Sequence, residues 1–246
     1  IIYEGDAYSY AQLNQQAEVL ANQLVAQGIQ AEQRVGICLH RSPEVLVAVL
    51  GVLKAGAAYV PVDPSHAEKR VQYIGDDSHL ECLLTTQAIA NKWQQVTVPT
   101  LLMDAALTSP NWLLDAPQRA PLNIHTQQLA YILYTSGSAG EPKGVSVSHF
   151  GLASYVNFAK DAYIGAQTQS AVMSCLLSFD ASVITLFTPL VKGLPVTILP
   201  EDDNVIYRMM QKVKSSTPYL FAITPSHIDA LGLIAEEAVQ TAHIFN

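Results

Sequence analysis

The residue types best suited to chemistry fall in one stretch, Tyr131–His149 (YILYTSGSAGEPKGVSVSH), where an apolar run leads into a loop. That loop holds Thr135, Ser136, Gly137, Ser138, Gly140, Lys143 and Gly144. Such a composition suits phosphate: glycines let successive backbone N–H groups converge on an anion, hydroxyls add donors, and a lysine brings a mobile positive charge. The Walker loop is not matched, because Pro142 precedes the lysine and Gly144 stands where a Mg²⁺-holding hydroxyl would be. A G-x-S-x-G elbow is also absent. Composition alone fits equally a Gly/Ser turn beside a solvated lysine.

Other groupings carry less. The seven histidines show no H-x-x-x-H or H-E-x-x-H spacing and have no neighbouring cysteine, so no zinc site is expected. The acidic pairs and runs Asp76–Asp77, Glu201–Asp203 and Glu236–Glu237 read as solvated turns or helix faces. Asp180, read locally, is a helix N-cap. Cys38, Cys82 and Cys175 each sit in an apolar run without C-x-x-C spacing, as reduced core thiols of a cytoplasmic protein do.

The elements that must position the loop follow from periodicity. Ser9–Gln12 is a capping box opening a helix with Leu13, Ala17, Leu20, Ala21 and Leu24 on one face, stopped by Gly28. Arg34–His40 is a buried strand; Ser42 and Pro43 open a second helix that ends near Gly56, and Ala57–Val62 is extended. Ser65 is expected to cap a helix to about Asp77, with Leu80–Thr85 the next strand. Residues 104–124 lack periodicity and are expected to form an irregular seam between two lobes. Beyond it come strands at Leu129–Tyr134, Gly144–Val147, Ala171–Leu176, Pro195–Leu199 and Tyr219–Thr224. Helices alternate with them at about Ser148–Ala162 and Asp180–Lys192, after Asn204, and from Pro225. Strand and helix in alternation predict an α/β fold of layered, parallel-rich sheets covered by helices.

The whole chain is compatible with that fold. Half of its 246 residues are hydrophobic, enough to bury a sizeable core. Only 14% are charged, and 13 Lys+Arg against 21 Asp+Glu give a net charge of −8, which argues against nucleic acid or anionic membrane as a partner. No basic, apolar leader is visible, and the longest apolar run, Val45–Leu53, is roughly half the ~20 residues a membrane span needs.

Tyr134–Val145 (YTSGSAGEPKGV) resembles the signature loop of the adenylate-forming, AMP-binding enzymes, [YF]-[TS]-S-G-[ST]-T-G-x-P-K-G-V. Three further blocks, in order, resemble the adenylation domains of nonribosomal peptide synthetases. Tyr8–Leu13 (YSYAQL) is similar to L-[TS]-Y-x-E-L, Leu53–Pro64 (LKAGAAYVPVDP) to L-K-A-G-x-A-Y-V-P-[IL]-D-P, and Ser178–Val183 (SFDASV) to S-F-D-x-S. The resemblance implies the large N-terminal domain of that family. It implies amino-acid activation by ATP to aminoacyl-AMP with release of pyrophosphate, then thioesterification to a carrier protein. Implied with it are Mg²⁺ alongside ATP, phosphopantetheine on a carrier domain, and a condensation domain in the same synthetase.

By that resemblance, Thr135, Ser136, Gly137, Ser138, Gly140, Lys143 and Gly144 would close over the β- and γ-phosphates of ATP, with Lys143 the mobile cation. Asp180 would pair with the substrate α-ammonium, and Ala181, Ile184 and Ala222 would line the side-chain pocket. An apolar helix face of the same spacing also fits plain packing. Two departures matter. Ala139 replaces a threonine, removing one hydroxyl worth about 0.5–1.5 kcal/mol as a hydrogen bond. No N-x-Y-G-P-[TS]-E block, [YF]-R-T-G-D block or C-terminal G-K lysine follows Ala222. Residues 1–246 are therefore expected to be a partial N-terminal domain without its C-terminal subdomain, with the Mg²⁺ ligands elsewhere, and weak or inactive alone. The rivals are a fragment of an acyl- or aryl-CoA ligase, whose substrate has no ammonium for Asp180, and a noncatalytic remnant serving as an interaction module.

Overall fold

The computed structural model describes residues 1–103, 122–135 and 141–232. Its strands form two sheets. One runs β6 (Thr100–Leu102), β5 (Leu80–Thr85), β3 (Arg34–Cys38), β4 (Ala58–Pro61), β7 (Leu129–Thr135), β8 (Lys143–Ser148). Every neighbouring pair in it is parallel except the β7–β8 hairpin. The other runs β11 (Tyr219–Phe221), β9 (Ser170–Met173), β10 (Val196–Ile198), β1 (Ile2–Tyr3), β2 (Asp6–Ala7), and only β1–β2 is antiparallel. The strands β4, β9 and β10 are buried at every position, as strands covered on both faces must be. The sequence-predicted α/β class therefore holds.

Helices α1 (Tyr10–Ala26), α2 (Pro43–Lys54), α3 (Glu68–Ser78), α4 (Gln87–Ala90), α5 (His149–Ala162), α6 (Ala181–Lys192) and α7 (Val205–Val213) supply the cover, with residues 225–232 also helical. The capping box of α1 forms in full: Gln12 N–H donates to Ser9 Oγ at 3.2 Å, and Ser9 N–H to Gln12 Oε1 at 2.8 Å. Gly51 lets α2 approach α1 closely, since a Cβ there would stand 2.7 Å from Leu20 Cδ2. One hydrophobic core spans both sheets, joining Val35, Ile37, Tyr59 and Leu133 to Met173, Val196 and Ile198, with Leu186 of α6 among them. Burial therefore binds the two sheets into one body.

Several local expectations fail for identifiable reasons. Ser65 does not cap α3; its N–H and hydroxyl both donate to Asp63 Oδ1, at 2.8 and 2.7 Å, and close a turn ahead of the helix. Glu201 is not merely solvated, because His40 Nδ1 and the Arg41 backbone N–H bind its two oxygens at 2.7 and 2.9 Å. Asp77 accepts the Tyr134 hydroxyl at 2.5 Å. Residues 104–121 of the expected seam and the Glu236–Glu237 pair lie outside the described residues, and 122–124 carry no regular structure. Two of the three thiols lie in the core as expected: Cys38 and Cys82 are buried, and burial pushes both up to about 12, whereas Cys175 is only half-buried.

Candidate active site

The root of the Gly/Ser loop is a hairpin. β7 and β8 pair from Leu129 opposite Ser148 to Thr135 opposite Lys143, so the loop springs from the carboxyl end of β7. Thr135 and Lys143 are exposed cross-strand partners. Gly144 faces Tyr134, and a Cβ there would come 3.0 Å from Ile132 Cγ2 and 3.1 Å from Tyr134 Cζ. Ser136, Gly137, Ser138 and Gly140 lie outside the described residues. The hairpin is fixed to α3 on both arms: the Tyr134 hydroxyl reaches Asp77, and the Tyr73 hydroxyl donates to the Pro142 carbonyl at 3.1 Å. Burial, then the Asp77 carboxylate beside it, raises the Tyr134 phenol well above its ordinary value.

Alternation along β7 sorts its side chains. Ile132 and Tyr134 pack toward α3, while Tyr131 and Leu133 join the core that includes α6. Thr135, two residues beyond Leu133, and its partner Lys143 belong to the same face as Tyr131. The loop root thus lies about 13 Å along the strand from Tyr131, on its side of the sheet.

Beside Tyr131 is a cavity of about 320 Å³ lined by Tyr131, Tyr155, Asp180, Ala181, Val183 and Ile184. Tyr131 is buried and stacked on the fully buried Tyr59, with ring centroids 5.3 Å apart. Asp180 is exposed and stands at the N-cap position of α6, as the local reading expects, but its backbone is already helical (φ −59°, ψ −32°) and its side chain makes no cap hydrogen bond. Asp180 is one of the residues lining the cavity. The Tyr131 phenol is raised by burial first and then by the Asp180 charge, and that charge also raises the Tyr155 phenol after burial and Tyr163. A carboxylate at the rim of an apolar, tyrosine-walled cavity can accept hydrogen bonds from a cationic group.

The structure brings together Asp180, Ala181 and Ile184 of the expected site, with Thr135, Lys143 and Gly144 at the loop root. Ala222 follows β11 by one residue, half-buried, and is not among the described residues lining the cavity. Sequence reasoning missed Tyr131, Tyr155 and Val183. Strand alternation places Tyr131 with Leu133 and Thr135, a usable signal; Tyr155 had none, since its role depends on how α5 meets α6. Among the described residues, no three His, Cys, Asp or Glu side chains gather where they could hold a metal ion. No helix among them is long and apolar enough to cross a membrane.

Comparison with known proteins decides the family. The AMP-binding enzyme profile matches residues 1–244. The chain belongs to the AMP-binding enzymes. Among curated relatives of this AMP-binding chain, tyrocidine synthase 2 of Brevibacillus parabrevis is 37% identical over 205 residues, 82% of this chain but 6% of that protein. A crystal structure of a nonribosomal peptide synthetase bound to AMPPNP superposes with a TM-score of 0.81 at 26% identity, over 96% of this chain and 25% of its own. A four-domain nonribosomal peptide synthetase bound to AMP and glycine gives 0.77 at 26% identity, over 94% and 17%. The AMP-binding sequence thus spans a small part of each of these larger proteins.

Proposed function

We propose that this chain is part of an amino-acid-activating domain of a cytoplasmic nonribosomal peptide synthetase, built on residues 1–246 of its N-terminal domain. The observation that carries this is Asp180, which makes no cap hydrogen bond and lines a cavity whose other walls are tyrosine and small or aliphatic side chains. A substrate α-ammonium would donate to the Asp180 carboxylate, while its side chain would enter between Ala181, Val183 and Ile184. Ala222 would contribute only from the edge. The substrate carboxylate would then point along β7 toward the loop root, where Thr135 and the hydroxyls and N–H groups of Ser136, Gly137, Ser138 and Gly140 would hold ATP phosphates. The relatives crystallised with AMPPNP, and with AMP and glycine, support a site for both substrates.

In the reaction a carboxylate oxygen attacks the α-phosphorus, the bond to the β-phosphate breaks, and pyrophosphate leaves. Lys143, charged and exposed on the edge strand, would follow the negative charge that gathers on the departing group. Mg²⁺ bound with ATP would neutralise phosphate charge; among the described residues no three His, Cys, Asp or Glu side chains gather where they could hold it. The phosphopantetheine thiol of a carrier domain would then take the acyl group and release AMP, with a condensation domain next in line. An acyl- or aryl-CoA ligase would have no ammonium to place against Asp180. The decisive measurement is amino-acid-dependent pyrophosphate exchange by Asp180→Ala in the intact native protein. Exchange should vanish while ATP binding, followed by calorimetry, persists; undiminished exchange would remove the reading.

A further inference from the structure

Arg41 lies between β3 and α2 and is only 7% exposed. Its guanidinium leaves the sheet that contains β3 and donates to three carbonyl oxygens of the other. Nη1 reaches Ser174 at 2.7 Å, Nε reaches Leu199 at 2.9 Å, and Nη2 reaches Pro200 at 3.0 Å. Ser174 directly follows the carboxyl end of β9, and Leu199 that of β10. A buried cation is costly to desolvate, and aliphatic packing would join the two sheets at less cost. A rigid fork of donors is instead suited to fixing several acceptors at set distances.

One of those acceptors, Ser174, opens the connection 174–180 that ends in Asp180, while Leu199 and Pro200 open the connection after β10, so the guanidinium fixes the start of the first against the start of the second. The middle of the first is held by a second tie, the Ser182 hydroxyl donating to the Leu177 carbonyl at 3.2 Å. We propose that Arg41 is a positioning residue for amino-acid recognition: it anchors the β9–α6 connection so that the Asp180 carboxylate stands at the cavity rim, without itself touching substrate. This rests on the reading of Asp180 as the ammonium partner.

The test uses pyrophosphate exchange by the intact native protein, with ATP and the proteinogenic amino acid giving the fastest exchange varied separately. Arg41→Lys keeps the charge but cannot reach three carbonyls. It should raise the amino-acid KM about tenfold or more and leave the ATP KM within about twofold, because the lost charge-assisted bonds act on one substrate only. Ser182→Ala keeps Arg41 and releases the other tie, so the amino-acid KM should rise in the same direction by a smaller factor. Parallel rises in both KM values, or a lower thermal midpoint with both unmoved, would reduce Arg41 to a strut between sheets and overturn the proposal. If Arg41→Lys does not fold, an unmoved amino-acid KM in Ser182→Ala overturns it. Asp180→Ala separates the two ideas. Undiminished exchange there removes the ammonium reading itself, whereas lost exchange beside an unmoved amino-acid KM in Arg41→Lys removes only the positioning role.

Discussion

Lys143 and Ile184 mark the two ends of the proposed site and make separable predictions. Lys143 stands on an edge strand opposite Thr135, exposed, where its ammonium can move with a leaving group. Lys143→Ala in the intact protein should lower kcat for pyrophosphate exchange by about 10²–10³-fold, the usual worth of one charge-stabilising donor, with a smaller change in the ATP KM. An effect confined to the ATP KM would contradict this role. Ile184 is half-buried on the cavity wall. Ile184→Trp should fill much of that space and shift preference toward smaller amino acids, read as the ratio of kcat/KM values across a substrate panel. At this scale the sequence reveals the loop and Asp180 through their residue types. It gives Tyr131 only through strand alternation and conceals Tyr155, because a cavity wall exists only where three elements meet.

Helix α2 and the β7–β8 hairpin carry predictions of their own. Gly51 has Leu20 of α1 within 2.7 Å of where a Cβ would stand, so Gly51→Val should push the helices apart and cost about 1–3 kcal/mol, measured by urea unfolding. An unshifted midpoint would mean that α1 can move aside. Gly144→Ala meets Ile132 and the Tyr134 ring at 3.0–3.1 Å, contacts a small displacement could relieve. Its signature should therefore be slower exchange with little lost stability. Element positions are largely legible, because capping boxes and buried apolar runs act locally: Ser9 caps α1, and β5 occupies Leu80–Thr85 as expected. Where elements begin is less so. Ser65 has the right type to cap α3, yet Asp63, two residues away, captures it first.

The molecule as a whole is two sheets around a common core, with a second cluster under α3, and two thiols, Cys82 in the first and Cys38 in the second, shape its response to alkali. Cys38 and Cys82 are raised from an ordinary value near 9 to about 12, first by burial, so folding keeps both protonated where the unfolded chain would ionise. Native protein then binds more protons than unfolded protein between about pH 9 and 12. Stability from this source is fully present below pH 9 and falls as pH rises through that window, by about 1.4 kcal/mol per pH unit for each thiol. Cys38→Ala and Cys82→Ala should each flatten the alkaline limb of unfolding free energy against pH; an unchanged slope would mean that the thiols are reached by solvent. Strand order across the sheets was not legible in the sequence, since alternation gives the class but not which strand lies beside which. The stacking of Tyr131 on Tyr59 has a last consequence. One wall of the cavity is tied to β4 in the middle of its sheet, and change there would ripple into the fold. Another part of the lining is the first turn of α6, with partly open side chains at Ala181 and Ile184. On the proposed reading, new substrate preferences would evolve by drift along that turn, at little risk to the scaffold, which would make the pocket a replaceable part of an otherwise conservative machine.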